Sequence, residues 1–133
     1  MMKNKELAYA VLRVALGIDI LMHGLSRFGE NYGKFVASMM EMFATSPLPG
    51  WSVNILAHLI PIAEFAVGAL LVIGLATRLA AVAGALLMMI LIFGSALLQK
   101  WELVSLQMNY VFFYFLVLFF LEYNRYSLDR KFR

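Results

Sequence analysis

One stretch of the sequence, residues 7–28, constrains the fold more than any other. It is long enough to cross a bilayer as one helix, because a helix rises ~1.5 Å per residue and the hydrocarbon core is about 30 Å thick. It nevertheless carries four ionisable side chains, Arg13, Asp19, His23 and Arg27. At about 100° per residue, all four fall within an arc of about 120°. Ionisable groups in hydrocarbon are costly unless they are paired, so this face is predicted to form the wall of an internal polar site.

The composition indicates a membrane protein rather than a soluble domain. Of the 133 residues, 63% are hydrophobic and only 14% are charged, whereas soluble domains average about 45–50% and about 25%. The net charge of +3 is no sign of nucleic-acid binding, because the basic residues lie at the chain ends and in the predicted loops. The absence of cysteine excludes disulfides and thiolate metal sites, and the residue types favour no other metal site.

Hydrophobic periodicity predicts an all-α protein, an integral membrane four-helix bundle that runs up-down-up-down in one transmembrane domain over residues 1–133. The predicted spans are residues 7–28, 53–75, 79–98 and 103–123. A short amphipathic helix over residues 34–45 lies between the first two spans, either in the membrane interface or packed on the end of the bundle. It ends where Pro47 and Pro49 exclude helical hydrogen bonding. Pro61 is expected to kink the second span or to free a backbone carbonyl.

The distribution of basic residues predicts the orientation in a cell (inner) membrane. Positive residues accumulate on the cytoplasmic side of membrane proteins. Both chain termini and the second loop carry Lys3, Lys5, Arg78, Arg125, Arg130, Lys131 and Arg133, whereas the opposite side carries Arg27, Lys34 and Lys100. Both termini are therefore predicted to be cytoplasmic, and the first helix is interpreted as a permanent span because a cleavable signal peptide has a shorter, uncharged core.

Helical rise places most intramembrane polar residues in the outer half of the bundle and leaves the inner halves almost wholly apolar. This coincidence predicts a ligand-binding site, in which Asp19, His23 and Glu64 are the candidates for proton transfer. The full set of candidate site residues is Arg13, Asp19, His23, Arg27, His58, Glu64, Gln107, Asn109 and Tyr110.

Several of these residues also have structural interpretations. The depths favour an Arg13–Glu64 ion pair between the first two spans, although Glu64 is alternatively a proton acceptor. Asp19 and His23, four residues apart, either satisfy each other, or Asp19 fixes the tautomer of a His23 that exchanges a proton with a ligand.

The remaining candidates also have interpretations that involve no ligand. His58 is expected to cap backbone freed by Pro61, and Arg27 to extend toward lipid phosphate. Tyr110, Tyr114 and the phenylalanines of residues 112–120 are expected to pack, or to line the path of an apolar tail.

Three ordered motifs resemble those of the DoxX family. Residues 13–27 contain Arg-x-x-Leu-Gly followed by His-Gly-Leu-x-Arg, residues 61–78 contain Pro-x-x-Glu-x-x-x-Gly-x-Leu-Leu-x-x-Gly-Leu-x-Thr-Arg, and residues 127–129 read Ser-Leu-Asp. The resemblance implies a small four-helix membrane protein, since the family takes its name from a membrane subunit of a quinone-reducing thiosulfate oxidoreductase. The resemblance implies that the important residues include Arg13, His23, Gly24, Glu64 and Arg78. Asp19 departs from the family pattern and Arg27 replaces a frequent lysine.

Three functions remain open from the sequence. The first is a quinone-interacting subunit of a membrane redox complex, in which quinone is the bound ligand and a partner protein supplies the electron carrier. The second is a non-catalytic membrane scaffold, or a carrier of lipid or a small molecule. The third is a b-type haem held by His23 and His58. The chain shows no cofactor motif of its own, and association of several copies is left open.

Overall fold

The computed structural model describes residues 2–132, with the side chain of Met2 excepted, and this part of the chain is all-helical. The five α-helices are α1 (Met2–Leu25), α2 (Glu30–Met42), α3 (Gly50–Ile73), α4 (Thr77–Leu97) and α5 (Trp101–Phe119). Two short 3₁₀ segments, Leu121–Tyr123 and Leu128–Phe132, follow α5. No β-strand occurs in residues 2–132.

Four helices are long and apolar enough to cross a membrane, and they correspond to the four predicted spans. Their candidate spans are Lys3–Leu25, Gly50–Ile73, Thr77–Leu97 and Trp101–Phe119. Each begins two to four residues before the predicted start. Large apolar side chains are exposed along all four helices, for example Val11, Leu59, Leu86 and Phe119. Such an exterior is suited to lipid rather than to water.

The ends of the helices follow from local backbone chemistry. Gly74 ends α3 in the left-handed region (φ 70°), and its N–H donates to the carbonyl of Leu70. This is a left-handed C-terminal cap, for which glycine is the favoured residue. Pro49 precedes α3 in extended conformation. Helix α3 continues through Pro61, so the proline does not end the helix.

Close approach of α1 and α3 depends on three glycines. A Cβ added to Gly17, Gly24 or Gly68 would overlap the backbone of the facing helix, at Val72, Phe65 and Leu21 respectively. Small residues at such positions let membrane helices approach closely, which increases their van der Waals contact. The buried core extends from this seam to α4 and α5 and includes Leu16, Ile20, Leu71, Ala81, Met88, Tyr114 and Val117.

Helix α5 buries little of its surface. Only Tyr114 and Val117 are buried among its 19 residues. The phenylalanines at positions 112, 113, 115, 119 and 120 are 39–65% exposed. They therefore lie largely on the outer surface of the bundle, and Phe113 lines a groove between α1 and α5.

Candidate functional site

A polar cavity lies between α1, α3, α4 and α5. Its volume is about 230 Å³, and it opens among residues from all four helices and from the turn after α1. Its polar lining consists of His23, Arg27, Glu64, Gln107 and Tyr110, and its apolar lining of Ile20, Met88, Leu91, Leu103 and Leu106. Five of the predicted site residues are therefore brought together in one cavity.

An ion pair between Arg27 and Glu64 lies in the wall of the cavity. Nη1 of Arg27 lies 2.6 Å from both Oε1 and Oε2 of Glu64. Glu64 is buried at 2% exposure, whereas the Arg27 side chain keeps 28%. The guanidinium also lies 4.4 Å from the centre of the Phe35 ring, a cation–π contact with α2.

This pair corrects two sequence expectations. Glu64 does not pair with Arg13, and Arg27 does not extend toward lipid phosphate. The helix α1 ends at Leu25, so Arg27 lies in the following turn and folds back over the cavity. Depth along an ideal helix cannot predict that reversal, since the long arginine side chain reaches a carboxylate several residues deeper.

A second polar group joins Asp19, His23 and Tyr110. The hydroxyl of Tyr110 donates a hydrogen bond to Oδ2 of Asp19. Nδ1 of His23 lies 2.8 Å from the backbone oxygen of Asp19 and 3.6 Å from its Oδ2. The rings of His23 and Tyr110 meet edge to face, with centroids 6.1 Å apart. Because a carbonyl only accepts, this contact is a hydrogen bond when Nδ1 carries the proton, and Nε2 of that neutral tautomer is an acceptor.

A larger apolar cavity adjoins the polar one. Its volume is about 380 Å³, and it shares Arg27, Leu91, Leu103 and Gln107 with the polar cavity. The rest of its wall comes from α2 and its C-terminal end, from α3 and from α4, and it includes Phe35, Met39, Met42, Phe43, Leu56, Ile60 and Phe93. Polar and apolar spaces therefore meet at a common wall.

Gln107 stands in that common wall. Its Nε2 donates to Oγ of Ser95 at 3.0 Å, which orients the amide. Its Oε1 is buried and has no hydrogen-bond partner among the described residues. An unsatisfied buried oxygen is uncommon and costs free energy. A ligand hydroxyl between the two cavities would satisfy it.

Four predicted site residues do not line the polar cavity, namely Arg13, Asp19, His58 and Asn109. His58 is exposed on α3; its Nδ1 contacts the carbonyl of Asn54 at 2.8 Å, and its ring faces Tyr32. It therefore does not cap the carbonyl of Ala57, which Pro61 leaves free. Asn109 is exposed in a groove between α1 and α5.

Arg13 lies at the opposite end of the bundle, in a buried network. It donates to the carbonyls of Leu71 and Tyr126 at 3.0 and 2.8 Å, and to Oδ1 of Asn124 at 2.6 Å. Nδ2 of Asn124 in turn donates to Oγ1 of Thr77 at 3.1 Å and to Oδ2 of Asp129 at 3.3 Å. The expectation of an almost wholly apolar inner half is therefore wrong.

Asp129 completes this network by capping α4. Its Oδ1 and Oδ2 accept the backbone N–H groups of Ala76 and Thr77 at 2.6 and 2.9 Å, and its own N–H donates to Gly74 at 2.9 Å. Sequence reasoning did not single out Asn124 or the role of Asp129. The family motifs could have indicated this contact, since Thr77 belongs to the motif of residues 61–78 and Asp129 to the motif of residues 127–129.

The fold and the cavities define a multi-pass membrane protein with an internal polar site. The DoxX family model matches residues 8–96, and the chain belongs to the DoxX family. Among curated proteins and among solved structures, no significant match was found. The matched region contains His23, Arg27 and Glu64, but it ends before Gln107, Asn109 and Tyr110 of α5.

Proposed function

We propose that this protein is a quinone-interacting membrane subunit, and that the two adjoining cavities receive one amphiphilic ligand. The observation that carries the proposal is the common wall between the polar and the apolar cavity. A lipophilic quinone has the same two parts, a ring with two oxygen acceptors and an apolar tail. Ligand sites of this kind are mostly apolar, with a few polar groups that fix orientation.

In this proposal the polar cavity receives the ring. His23 and Tyr110 line it, and both contact Asp19. Reduction of a quinone takes up two protons with two electrons, and its reversal releases them. His23 suits proton exchange because a neutral imidazole accepts at Nε2 and an imidazolium donates there. Glu64 holds Arg27 in position, and its ion pair favours this role over that of a proton acceptor.

The apolar cavity receives the first part of the tail. It is lined by methionine and phenylalanine side chains of α2 and by aliphatic side chains of α3 and α4. Methionine adapts its shape to irregular ligands because its side chain is unbranched and flexible. In this proposal a partner protein supplies the electrons.

The arrangement in the membrane is part of the same proposal. The four long helices cross the bilayer up-down-up-down, α2 lies in the interface, and both termini are cytoplasmic in the cell (inner) membrane. Exposed Trp51 and Trp101 at the starts of α3 and α5 support an interface at the end that carries the cavities. Single cysteines replacing Lys100 and Lys131 in this cysteine-free chain test it, because a membrane-impermeant thiol reagent added to intact spheroplasts should label only the first.

The proposed ligand is tested by mass spectrometry and absorbance on an organic extract of the detergent-purified protein. We expect about one quinone per chain. His23→Ala should lower that ratio several-fold, because His23 lines the polar cavity, whereas His58→Ala is the matched control because His58 is exposed outside it. An extract with only bulk phospholipid contradicts the proposal and favours a scaffold or a lipid carrier.

The same sample tests the haem alternative. Bis-histidine ligation needs both histidines on one iron, but His23 lines the polar cavity and His58 faces Tyr32 outside it. This placement disfavours haem. A Soret band that both His23→Ala and His58→Ala abolish would restore the haem interpretation.

A further inference from the structure

Two exposed polar side chains face the same groove between α1 and α5. The groove has a volume of about 380 Å³ and is otherwise lined by apolar residues and by Tyr110. The Asp19 side chain is 47% exposed in it, and Asn109 is exposed too. Both lie within helices that are candidate membrane spans. Polar groups at such positions are expensive in lipid unless a partner satisfies them.

Contacts within the chain satisfy only part of the hydrogen-bonding capacity of Asp19 and Asn109. The Asp19 carboxylate accepts one hydrogen bond, from Tyr110, and lies 3.6 Å from Nδ1 of His23, which is closer to the Asp19 carbonyl. A carboxylate has sites for about four hydrogen bonds. Among residues 2–132, the amide of Asn109 makes no side-chain hydrogen bond. The Asp19 carboxylate can thus accept further hydrogen bonds, and the Asn109 amide has two N–H groups that can donate them.

The surrounding surface is suited to helix packing. Helix α5 buries only Tyr114 and Val117, so most of its length is uncovered. Around the two polar groups, the groove presents Ala15 and Leu106, and Leu106 is 58% exposed. Such a face is apolar, with one acceptor and one donor at its centre.

We propose that a second copy of this chain covers the α1–α5 groove, and that Asn109 of each copy donates to Asp19 of the other. The two residues line one groove, so they lie at similar depth in the membrane. A two-fold axis along the membrane normal preserves depth, so it can bring Asp19 of one copy opposite Asn109 of the other at both ends of the contact. The pairing is self-complementary, which is the requirement for a closed dimer. It does not depend on quinone binding.

Disulfide cross-linking in native membranes tests the interface, because the chain has no cysteine of its own. Leu106→Cys places a thiol in the groove, and Leu86→Cys, at 53% exposure on α4, is the matched control. Mild oxidation should convert Leu106→Cys to a dimer of twice the chain mass and leave Leu86→Cys monomeric. A monomer in both, equal dimerisation in both, or a cross-link to a different protein would overturn the proposal.

The polar contact is tested by an exchange of its two members. In the Leu106→Cys background, Asp19→Leu or Asn109→Leu should lower the dimer fraction about three- to tenfold, as expected for the loss of two interhelical hydrogen bonds. The exchanged variant Asp19→Asn with Asn109→Asp should restore it, because donor and acceptor still face each other. Folding of each variant is checked by circular dichroism. Well-folded leucine variants with an unchanged dimer fraction would refute the Asp19–Asn109 contact.

Discussion

Arg27 and Glu64 form an ion pair that ties the turn after α1 to the middle of α3. One guanidinium nitrogen lies 2.6 Å from both carboxylate oxygens, and the carboxylate is almost wholly buried. A buried charge that loses its partner is strongly destabilising, whereas the loss of both partners is tolerated better. The pair therefore holds one wall of both cavities, since Arg27 lines each of them.

The pair predicts a non-additive result in a double-mutant cycle. Arg27→Leu should lower the free energy of unfolding by roughly 3 kcal/mol because it leaves Glu64 buried without a cation. Arg27→Leu with Glu64→Leu should lose less than Arg27→Leu alone. Thermal unfolding in detergent measures each variant, with Lys34→Leu as an exposed control. Additive losses would show that the two side chains do not interact.

The network at the opposite end predicts that Asn124 is essential to the packing of the tail. Asn124→Ala should cost about 1–3 kcal/mol, because it removes one of three acceptors of the buried Arg13 guanidinium and the donor to Oγ1 of buried Thr77. Asn4→Ala is the matched control, since Asn4 is exposed on α1. Limited proteolysis should also cut residues 124–132 faster in Asn124→Ala. Equal melting temperatures for the two variants would contradict this role.

Close packing of α4 on α5 predicts a steric effect at Gly84. A Cβ added there would overlap the ring of Tyr114. Gly84→Ala should therefore destabilise the protein by about 1–3 kcal/mol, as overpacking commonly does. Gly33→Ala adds the same methyl group where no atom lies within 4 Å, and it should be neutral or slightly stabilising because alanine favours helix. Similar melting curves for both variants would rule out the close contact.

The unsatisfied oxygen of Gln107 predicts an effect on ligand binding. Gln107→Leu should weaken binding of a hydroxyl-bearing quinol by roughly tenfold, the equivalent of one hydrogen bond of about 1.4 kcal/mol, and should affect the quinone less. Asn54→Leu, exposed on α3 outside both cavities, is the control. Titration of purified protein in nanodiscs with the short-chain quinol and quinone measures both affinities. Equal losses for quinol and quinone would exclude a hydroxyl contact at Gln107.

Some features of the site could be read from helical spacing. His23 and Arg27 were predicted to share one helix face, and both line the polar cavity, although Arg27 lies in the turn after α1. Gln107 and Tyr110 were placed at similar depth on the last helix, and they line it too. These predictions used only the periodicity of single helices. His58 and Asn109 lie at similar depth but outside the cavity, because the rotation of a helix about its own axis depends on its neighbours.

The sequence by itself determined the all-helical class, the four long apolar helices and the family. These depend on hydrophobic length, helical period and local motifs, which act along a single segment. Only the tertiary structure decided the pairing of charges. Arg27 reaches Glu64 because a turn reverses the chain after Leu25, and Arg13 reaches Asn124 because the tail folds back over the end of the bundle. Both contacts join residues far apart in sequence, and their geometry depends on how the helices pack, which no single-helix pattern specifies.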